Sequence, residues 1–474
     1  MGRVSEDLVV HEPGSEPEGR AVELPPGTPG WLDTIDFIRD PDRFCLERAG
    51  RHGPIFRTGV FGGTTVFVGS PRAVEMVLNG DNQYTEIGLP ATTLAMFGEY
   101  SLFQRPDLHR QRKSALQPAF AGVMLESYIP RLHRVVRRHL DSWRGQAALP
   151  VLDSVEALSF DLLAPLLLGV SLREEQGAGD DGMAGLHGLP ITSARELKSL
   201  YRRFFDGFFG LVPFDVPVTA FGRGMAARRR LIRFMEAVIE RRRTEEAPPP
   251  RDFLGMMLHE RALNPDGVFS DPLMANQCLL QLWGAHYEVT GLLASWMVQV
   301  AGHDDVLERL REEASAHSAV LGSEQGLAMD AIRATPVLGA TISETLRLQP
   351  PSSTATRRLT RTVELDGLTY RRGWGLIAEP RLAHALASNF PEPDRFNPDR
   401  FLGDAPVDRR YSFIPFGGGV HACLGAQLAV TIAKVFALEL MARTRWHRLD
   451  EPSYVKFPLR LLQRRCRVRL EPCS

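Results

Sequence analysis

The chain has 474 residues, of which 44% are hydrophobic and 24% are charged, as is ordinary for a soluble globular protein with a large apolar core. Its formal net charge is −1, so no overall field attracts nucleic acid or an anionic membrane. We therefore expect neither as a partner.

No segment has the pattern of a signal peptide or a membrane span. Residues 1–20 are polar and lack the apolar core of a signal peptide. The longest apolar stretch, residues 160–170, is interrupted by Asp161 and Pro165 and is shorter than the roughly 20 residues a bilayer requires. The five cysteines are widely spread and include no CxxC pair. These features predict a cytoplasmic protein in a reducing compartment.

The pattern of apolar residues predicts a flexible arm over residues 1–24 and one catalytic domain over 25–474. Residues 54–70 predict a β-hairpin with Gly62-Gly63 at its turn, and residues 71–78 predict a helix. A long loop is expected over 81–107. Amphipathic helices are expected over 108–117, 125–144, 151–168, 194–206, 224–243 and 251–262.

The second half of the chain continues this mainly helical pattern. Residues 272–300 are apolar nearly all round, which predicts a long buried central helix. Further helices are expected over 304–317, 329–349 and 424–443. A small sheet is expected over 357–380 and irregular structure over 387–422. The expected fold class is mainly α with small β-sheets.

One cysteine lies in a setting suited to binding a metal. The sequence from Phe416 reads FGGGVHACLGAQLA, in which glycines precede Cys423 and an apolar helix follows it. A tight turn that delivers a thiol to a helix N-terminus stabilises the thiolate through unpaired N–H groups and the helix dipole. At Gly425 the absence of a side chain leaves room for a flat ligand. If the cysteine is considered without its neighbours, the alternative is a buried, inert residue that follows a glycine turn.

The spacing of Phe416, Gly419, Cys423 and Gly425 resembles the haem-binding signature FxxGxxxCxG of cytochromes P450. The resemblance implies the mostly helical P450 fold, haem b with Cys423 as its iron ligand, and monooxygenation with O2. The implied substrate is an apolar small molecule such as a secondary metabolite, a terpenoid or a lipid-like compound. Electrons would come from NAD(P)H through a ferredoxin and a ferredoxin reductase, and the protein would be a monomer.

Two further motifs fit the same family. Glu344 and Arg347 lie in ISETLRLQPP and resemble its ExxR pair, while FNPDRF resembles its PxRF element and supplies Arg400. The resemblance implies that these three residues form a buried ion network with a structural role. On its own, an acid and a base at i, i+3 on a helix is a common surface pair.

The resemblance also assigns cations to the haem propionates. Arg357, His421, His109 and Lys113 would make charge-assisted hydrogen bonds to these carboxylates. The alternative for each is an ordinary exposed charge. Arg110, Arg112 and Lys113 are the expected basic contacts for an acidic ferredoxin.

The central helix departs from the family pattern AGx(D/E)TT, which lies above the iron. Aligned with Ala285 as its first residue, the chain keeps the acid as Glu288, has Val289 in place of the first threonine, and has Thr290 about 100° further round the helix. That first threonine's hydroxyl normally helps to deliver protons to oxygen.

Glu288, His286, Val289 and Thr290 are therefore the candidate catalytic residues. His286 is either packed within the protein or directed into the pocket as an acid or base. Val289 raises the alternative of non-oxygenase or peroxide-driven chemistry, and a non-catalytic haem binder is a further rival.

Overall fold

The computed structural model describes residues 8–12, 22–81, 83–102, 106–172, 185–210, 212–244, 251–317, 321, 327–352, 355–403 and 409–472. The helices are α1 Asp33–Arg39, α2 Pro41–His52, α3 Pro71–Asn79, α4 Ala91–Phe97, α5 Pro106–Leu116, α6 Gly122–Trp143, α7 Val151–Leu168, α8 Ala194–Gly207, α9 Ala220–Thr244, α10 Phe253–Leu263, α11 Asp271–Val300, α12 Asp304–Ser315, α13 Met329–Arg333, α14 Pro336–Leu348, α15 Pro380–Ala385 and α16 Ala426–Arg443.

The strands are short. They are β1 Val9–Val10, β2 Ile55–Thr58, β3 Thr65–Val68, β4 Thr85–Ile87, β5 Leu149–Pro150, β6 Ala355–Leu359, β7 Val363–Leu365, β8 Leu368–Tyr370, β9 Gly375–Ala378, β10 Thr444–Arg448, β11 Tyr454–Val455, β12 Leu461–Leu462 and β13 Arg467–Pro472. The expected fold class, mainly α with small sheets, is confirmed.

The chain divides into two compact units. Unit 1 comprises Met1–Leu89, Ala340–Cys423 and Tyr454–Leu461, and unit 2 comprises Pro90–Gly339, Leu424–Ser453 and Leu462–Ser474. Each unit is described by itself below.

Unit 1 is built on a five-stranded sheet in the order β2-β3-β9-β6-β4. The predicted hairpin is present, since β2 and β3 pair antiparallel with Ile55 opposite Val68. β3 pairs parallel to β9, and β6 is antiparallel to both β9 and β4. Apolar residues of β3, β9 and α3 form a fully buried core beneath the sheet. This arrangement holds β6 and the end of α3 in fixed positions.

Unit 2 is organised around α11, which packs mainly against α7 and α9. Both α7 and α11 are buried along most of their length, as their continuous apolar sequences predict. The indole N–H of Trp446 on β10 donates to the Met297 carbonyl oxygen at 3.0 Å. The C-terminal sheet β10-β13-β5 is thereby tied to the end of α11.

Four segments differ from the sequence expectations. Residues 81–107 contain β4 and α4 rather than an uninterrupted loop. The expected helix 329–349 is two helices, because Pro336 starts α14 and cannot continue α13. Strands β10 to β13 were not expected. Within the expected arm, Val9 and Val10 pair with β7, while residues 1–7 and 13–21 lie outside the described residues.

Candidate haem-thiolate site

The loop before Cys423 is a chain of tight turns. The Gly417 N–H donates to the Ile414 carbonyl at 3.0 Å, the Ala422 N–H to the Gly419 carbonyl at 3.2 Å, and the Cys423 N–H to the Phe416 carbonyl at 2.9 Å. The side chain of Cys423 is exposed, whereas Cys45, Cys278 and Cys466 are buried. Helix α16 begins three residues later, at Ala426. The loop therefore presents the one accessible thiol among the described cysteines.

Glycine is required in this loop for two separate reasons. Gly417 and Gly419 both have left-handed backbone angles, with φ of +65° and +62°. A Cβ on Gly417 would meet nothing within 4 Å, but a Cβ on Gly419 would lie 2.0 Å from the Leu78 carbonyl oxygen. The end of α3 therefore supports the loop from behind, and only glycine at 419 permits that approach.

Glu344, Arg347 and Arg400 are brought together as the motifs predict. The two carboxylate oxygens of Glu344 accept from Nε and Nη2 of Arg347 at 2.7 and 2.8 Å, and both side chains are fully buried. Nε of Arg400 lies 3.4 Å from Glu344 Oε1, which also accepts from the Asn397 N–H. Arg347 donates to the Pro393 carbonyl and the Arg395 carbonyl as well. The network therefore holds the irregular segment 393–400 in place.

His384 connects this network to the cysteine loop, and the sequence analysis did not single it out. Its Nδ1–H donates to the Arg347 carbonyl at 3.1 Å, and its Nε2 accepts from the Ile414 N–H at 2.9 Å. Burial lowers the pKa of His384 to about 3, so the ring is neutral and serves one donor and one acceptor. A histidine among apolar residues carries no local signal for such a role.

Arg357 and His421 lie together in unit 1, but they share an internal carboxylate that the sequence analysis also missed. Asp81 accepts from Arg357 Nε at 3.0 Å, and its Oδ2 lies 3.4 Å from His421 Nε2. Asp81 and Arg357 are both almost fully buried. The two expected propionate contacts thus form a mixed-charge cluster, not a purely cationic one.

The other expected propionate contacts, His109 and Lys113, belong to α5 in unit 2. Nδ1 of His109 donates to the Leu102 carbonyl at 2.9 Å, and Lys113 is half-buried. The expectation that Arg112 is a surface contact for a ferredoxin is wrong. Its side chain is 6% exposed and donates to the Ser101 carbonyl at 2.9 Å, because the guanidinium is used to hold the segment before α5. Arg110 is exposed.

The middle of α11 has an accessible side and a buried side. Gln281, Gly284, Ala285 and Glu288 are accessible at positions i, i+3, i+4 and i+7, which lie along one face of a helix. We call these four residues the open stripe. Leu282, His286, Val289 and Thr290 are buried and form the opposite, closed stripe. Val289 is 3% exposed, so it is not on the same face as Glu288.

The contacts of His286 favour its packed interpretation, and the hydroxyl of Thr290 is used within its own helix. His286 Nδ1 lies 3.3 Å from Ser159 Oγ, and its ring centroid lies 5.2 Å from that of Phe160. Burial lowers the pKa of His286 to about 3, which makes it a poor proton carrier near neutral pH. The Thr290 hydroxyl donates to the His286 carbonyl at 2.7 Å, within its own helix.

Glu288 differs from both. Its side chain is half-buried on the open stripe, and its Oε2 is fully buried without a hydrogen-bond partner among the described residues. Burial raises the pKa of Glu288 to about 8, and its own backbone amide opposes the shift. A protonated, neutral carboxyl group near pH 7 follows.

The sequence model of the family described as Cytochrome P450 matches residues 25–464. The chain belongs to the cytochrome P450 family. Cytochromes P450 are monooxygenases that use haem, O2 and reducing equivalents, and they require a redox partner and an apolar substrate. The family therefore makes this chain a haem monooxygenase.

The relatives and solved structures that it matches cover nearly the whole chain. It is 28% identical to "Putative cytochrome P450 120" of Synechocystis sp. over 90% of this chain and 91% of that protein. It is 29% identical to "Cytochrome P450 26A1" of Gallus gallus over 92% and 87%. The structure titled "Retinoic acid bound cyanobacterial CYP120A1" superposes with a TM-score of 0.82 at 27% identity, covering 96% of this chain and 100% of that one.

The residues of this P450 fit a haem. Cys423 supplies an accessible thiol, and the glycine at 425 adds no side chain beside it, since even a Cβ there would meet nothing closer than Phe120 Cδ1 at 3.9 Å. The Arg357 guanidinium supplies a cation for a carboxylate, and the His421 ring lies beside the same Asp81. Among the described residues, no helix combines the length with the apolar character that a bilayer crossing requires.

Proposed function

We propose that this P450 hydroxylates a terpenoid or similar lipid-like molecule of secondary metabolism. The proposal carries with it haem b, O2, and electrons from NAD(P)H passed by a ferredoxin and its reductase to a cytoplasmic monomer. The single observation that carries it is the Cys423 loop, whose four signature positions fold into the turn that the signature implies. Residues 25–474 would form the one catalytic domain.

Separate groups of residues in this chain would bind the iron, hold the haem propionates and support the cysteine loop. Cys423 would hold the iron through its thiolate, and the haem supplies the oxygen-activating chemistry when bound. Arg357 and His421, with His109 and Lys113, would hold the propionates, and Phe416 and Gly425 would line the ring. Glu344, Arg347 and Arg400, which form one ion network, would keep the loop in place and would have no contact with the substrate.

A cluster of aromatic rings beside the open stripe supports a planar, conjugated substrate. Trp283 stacks on Phe208 with ring centroids 4.2 Å apart, and Tyr287 lies 4.2 Å from Phe205. Trp283, Tyr287 and Phe205 are each half-buried, so part of each ring can receive a ligand. The solved relative is titled as bound to retinoic acid, a conjugated terpenoid acid, and retinoic acid is therefore the first probe.

The cysteine assignment is tested with Cys423→Ser and a matched control, Cys466→Ser. The Cys466 thiol lies 3.7 Å from the Glu451 carbonyl and 3.9 Å from Ser453 Oγ, so a serine hydroxyl keeps its surroundings. Only Cys423→Ser should lose the ferrous–CO absorption of a thiolate-ligated haem. A thiolate spectrum that survives in Cys423→Ser would overturn the assignment.

The reaction is tested by supplying NADPH, ferredoxin, ferredoxin reductase and retinoic acid under labelled O2. One labelled oxygen atom should enter the product. Trp283→Leu should weaken retinoic acid binding about 2- to 10-fold relative to palmitic acid, since aromatic contacts add about 0.5–1.5 kcal/mol. Product formation that needs no O2 would favour the non-oxygenase alternative, and haem binding without turnover of any apolar compound would favour the non-catalytic binder.

A further inference from the structure

We propose that Glu288 itself supplies the proton that relatives with the AGx(D/E)TT motif relay through their first threonine. In this chain a carboxylic acid would take the place of the hydroxyl, and no acid–alcohol pair would be needed. The inference rests on the proposed monooxygenase function and deepens it. It rests on the open stripe of α11, because the exposure of these residues indicates that Glu288, and not Val289, occupies the position of that threonine.

The geometry of helix α11 determines the register in which the AGx(D/E)TT motif aligns with this chain. In AGx(D/E)TT the first small residue and the first threonine stand at i and i+4, on one face of the helix. Two pairs in this chain could match, namely Ala285 with Val289 and Gly284 with Glu288. Val289 is buried on the closed stripe, while both Gly284 and Glu288 are accessible. The second pair is therefore the one whose two members share an accessible face.

This register also accounts for the neighbouring residues. Ala285 becomes the small second residue of the motif, and His286 becomes its variable position. His286 is then a packing residue against Ser159 and Phe160, as its contacts show, and the motif's glycine is replaced by alanine instead of histidine. Tyr287 falls at the acidic position of the motif, where its ring packs against Phe205. In this register Val289 no longer stands in the place of the first threonine of the motif.

The state of the Glu288 carboxyl suits a proton donor. Its Oε2 is buried and has no hydrogen-bond partner among the described residues, and no described cation forms an ion pair with it. Since burial raises its pKa to about 8, the group holds its proton near pH 7 and yet can release it to a stronger base. A threonine hydroxyl, which is a far weaker acid, can only relay a proton that another group supplies.

The proton balance is simple. Hydroxylation converts R–H, O2, two electrons and two protons into R–OH and H2O, with both electrons from NAD(P)H through the ferredoxin. The Oε2–H bond of Glu288 breaks as one O–H bond of the departing water forms. The second proton of that water comes from solvent, and the carboxylate also regains a proton from solvent, so Glu288 is unchanged after the turnover.

The test compares Glu288→Gln, Glu288→Thr and the double variant Glu288→Gln with Val289→Thr. Glutamine keeps the shape of the side chain without an acidic proton, so the hydroxylated product per NADPH should fall on the order of 10²-fold, with peroxide formed instead. Glu288→Thr should recover only part of the coupling, because its hydroxyl lies on the open stripe but can relay only a proton that solvent supplies. The double variant should stay uncoupled, because residue 289 faces the closed stripe.

Infrared spectroscopy of the protein without substrate gives a readout that does not depend on turnover. In the wild-type minus Glu288→Gln difference spectrum at pH 7, the carbonyl stretch of a protonated carboxylic acid should be present and should shift in D2O. The difference removes the contribution of Glu379, another buried carboxyl group whose pKa is raised by burial. Absence of that band from the difference spectrum would overturn the inference, as would full coupling in Glu288→Gln or recovery in the double variant. A wild type that shows the band but makes no O2-dependent product from any apolar compound would instead overturn the proposed function.

Discussion

Substituting Gly419 with alanine separates backbone strain from steric exclusion at the cysteine loop, because Gly417 provides a matched control. Both glycines have left-handed angles, and alanine there costs about 1–2 kcal/mol at either position. A Cβ at 417 would meet nothing within 4 Å, so Gly417→Ala should show that strain alone. The strain lowers stability modestly without displacing the loop.

At Gly419 the added Cβ would lie 2.0 Å from the Leu78 carbonyl oxygen and 2.9 Å from its carbon. These are backbone atoms, so no side-chain rotation relieves the contact. Overpacking of this kind typically adds about 1–3 kcal/mol, and here it must be met by moving the loop away from α3. Gly419→Ala should therefore cost about 2–5 kcal/mol in all.

The assay is the urea concentration at which haem-loaded protein loses its thiolate-type ferrous–CO band, together with the haem content after purification. Gly417→Ala should keep nearly full haem content with a slightly lower midpoint. Gly419→Ala should lose most of its haem, and its remaining CO adduct should lack the thiolate band. Equal behaviour of the two variants would refute the claim that contact with Leu78 shapes the loop.

Three other predictions follow from the supporting residues. Arg347→Ala should lower the free energy of unfolding by about 3–5 kcal/mol and leave little haem-loaded protein, since it leaves the buried Glu344 carboxylate without its partner. The control Arg395→Ala, at an exposed pair with Glu392, should lower it by no more than about 1 kcal/mol. A stable, haem-replete Arg347→Ala would contradict the structural role of the network. Because the folded pKa of His384 is about 3 and its unfolded value is 6.5, its stabilising contribution is present above pH 6.5 and is lost as the pH falls toward 3. At pH 5 the free energy of unfolding of the wild type should be about 2 kcal/mol lower than above pH 6.5 because of this group, and His384→Gln should lack this loss. Thermal unfolding measures both proteins, and equal acid sensitivity of wild type and His384→Gln would argue against a neutral buried ring. Asp81→Asn should lower the unfolding midpoint of the haem-free protein more than that of the haem-loaded protein, since the haem propionates would replace the lost negative charge beside Arg357. Equal losses in the two forms would show that Asp81 and the haem do not share this cation.

The covalent order of residues determined the parts of this site that are local in sequence. Cys423 is recognised from a run of glycines followed by an apolar helix, and turn formation needs only neighbouring residues. Glu344 and Arg347 share a helix face by spacing alone. The helical periods predicted α7 over 151–168, the bounds that the structure has, and the hairpin of β2 and β3.

Only the tertiary structure decided which side of each element is covered, because burial depends on partners that are distant in the chain. Periodicity cannot tell whether Glu288 or Val289 faces an open space, since that depends on where α7 packs against α11. Asp81 reaches Arg357 across 276 residues, and His384 reaches Ile414 across 30. Contacts of this kind leave no local pattern, since each residue alone resembles an ordinary surface charge or a core histidine. Arg112 shows the converse: it reads as a surface cation in the sequence, and the fold buries it against the Ser101 carbonyl.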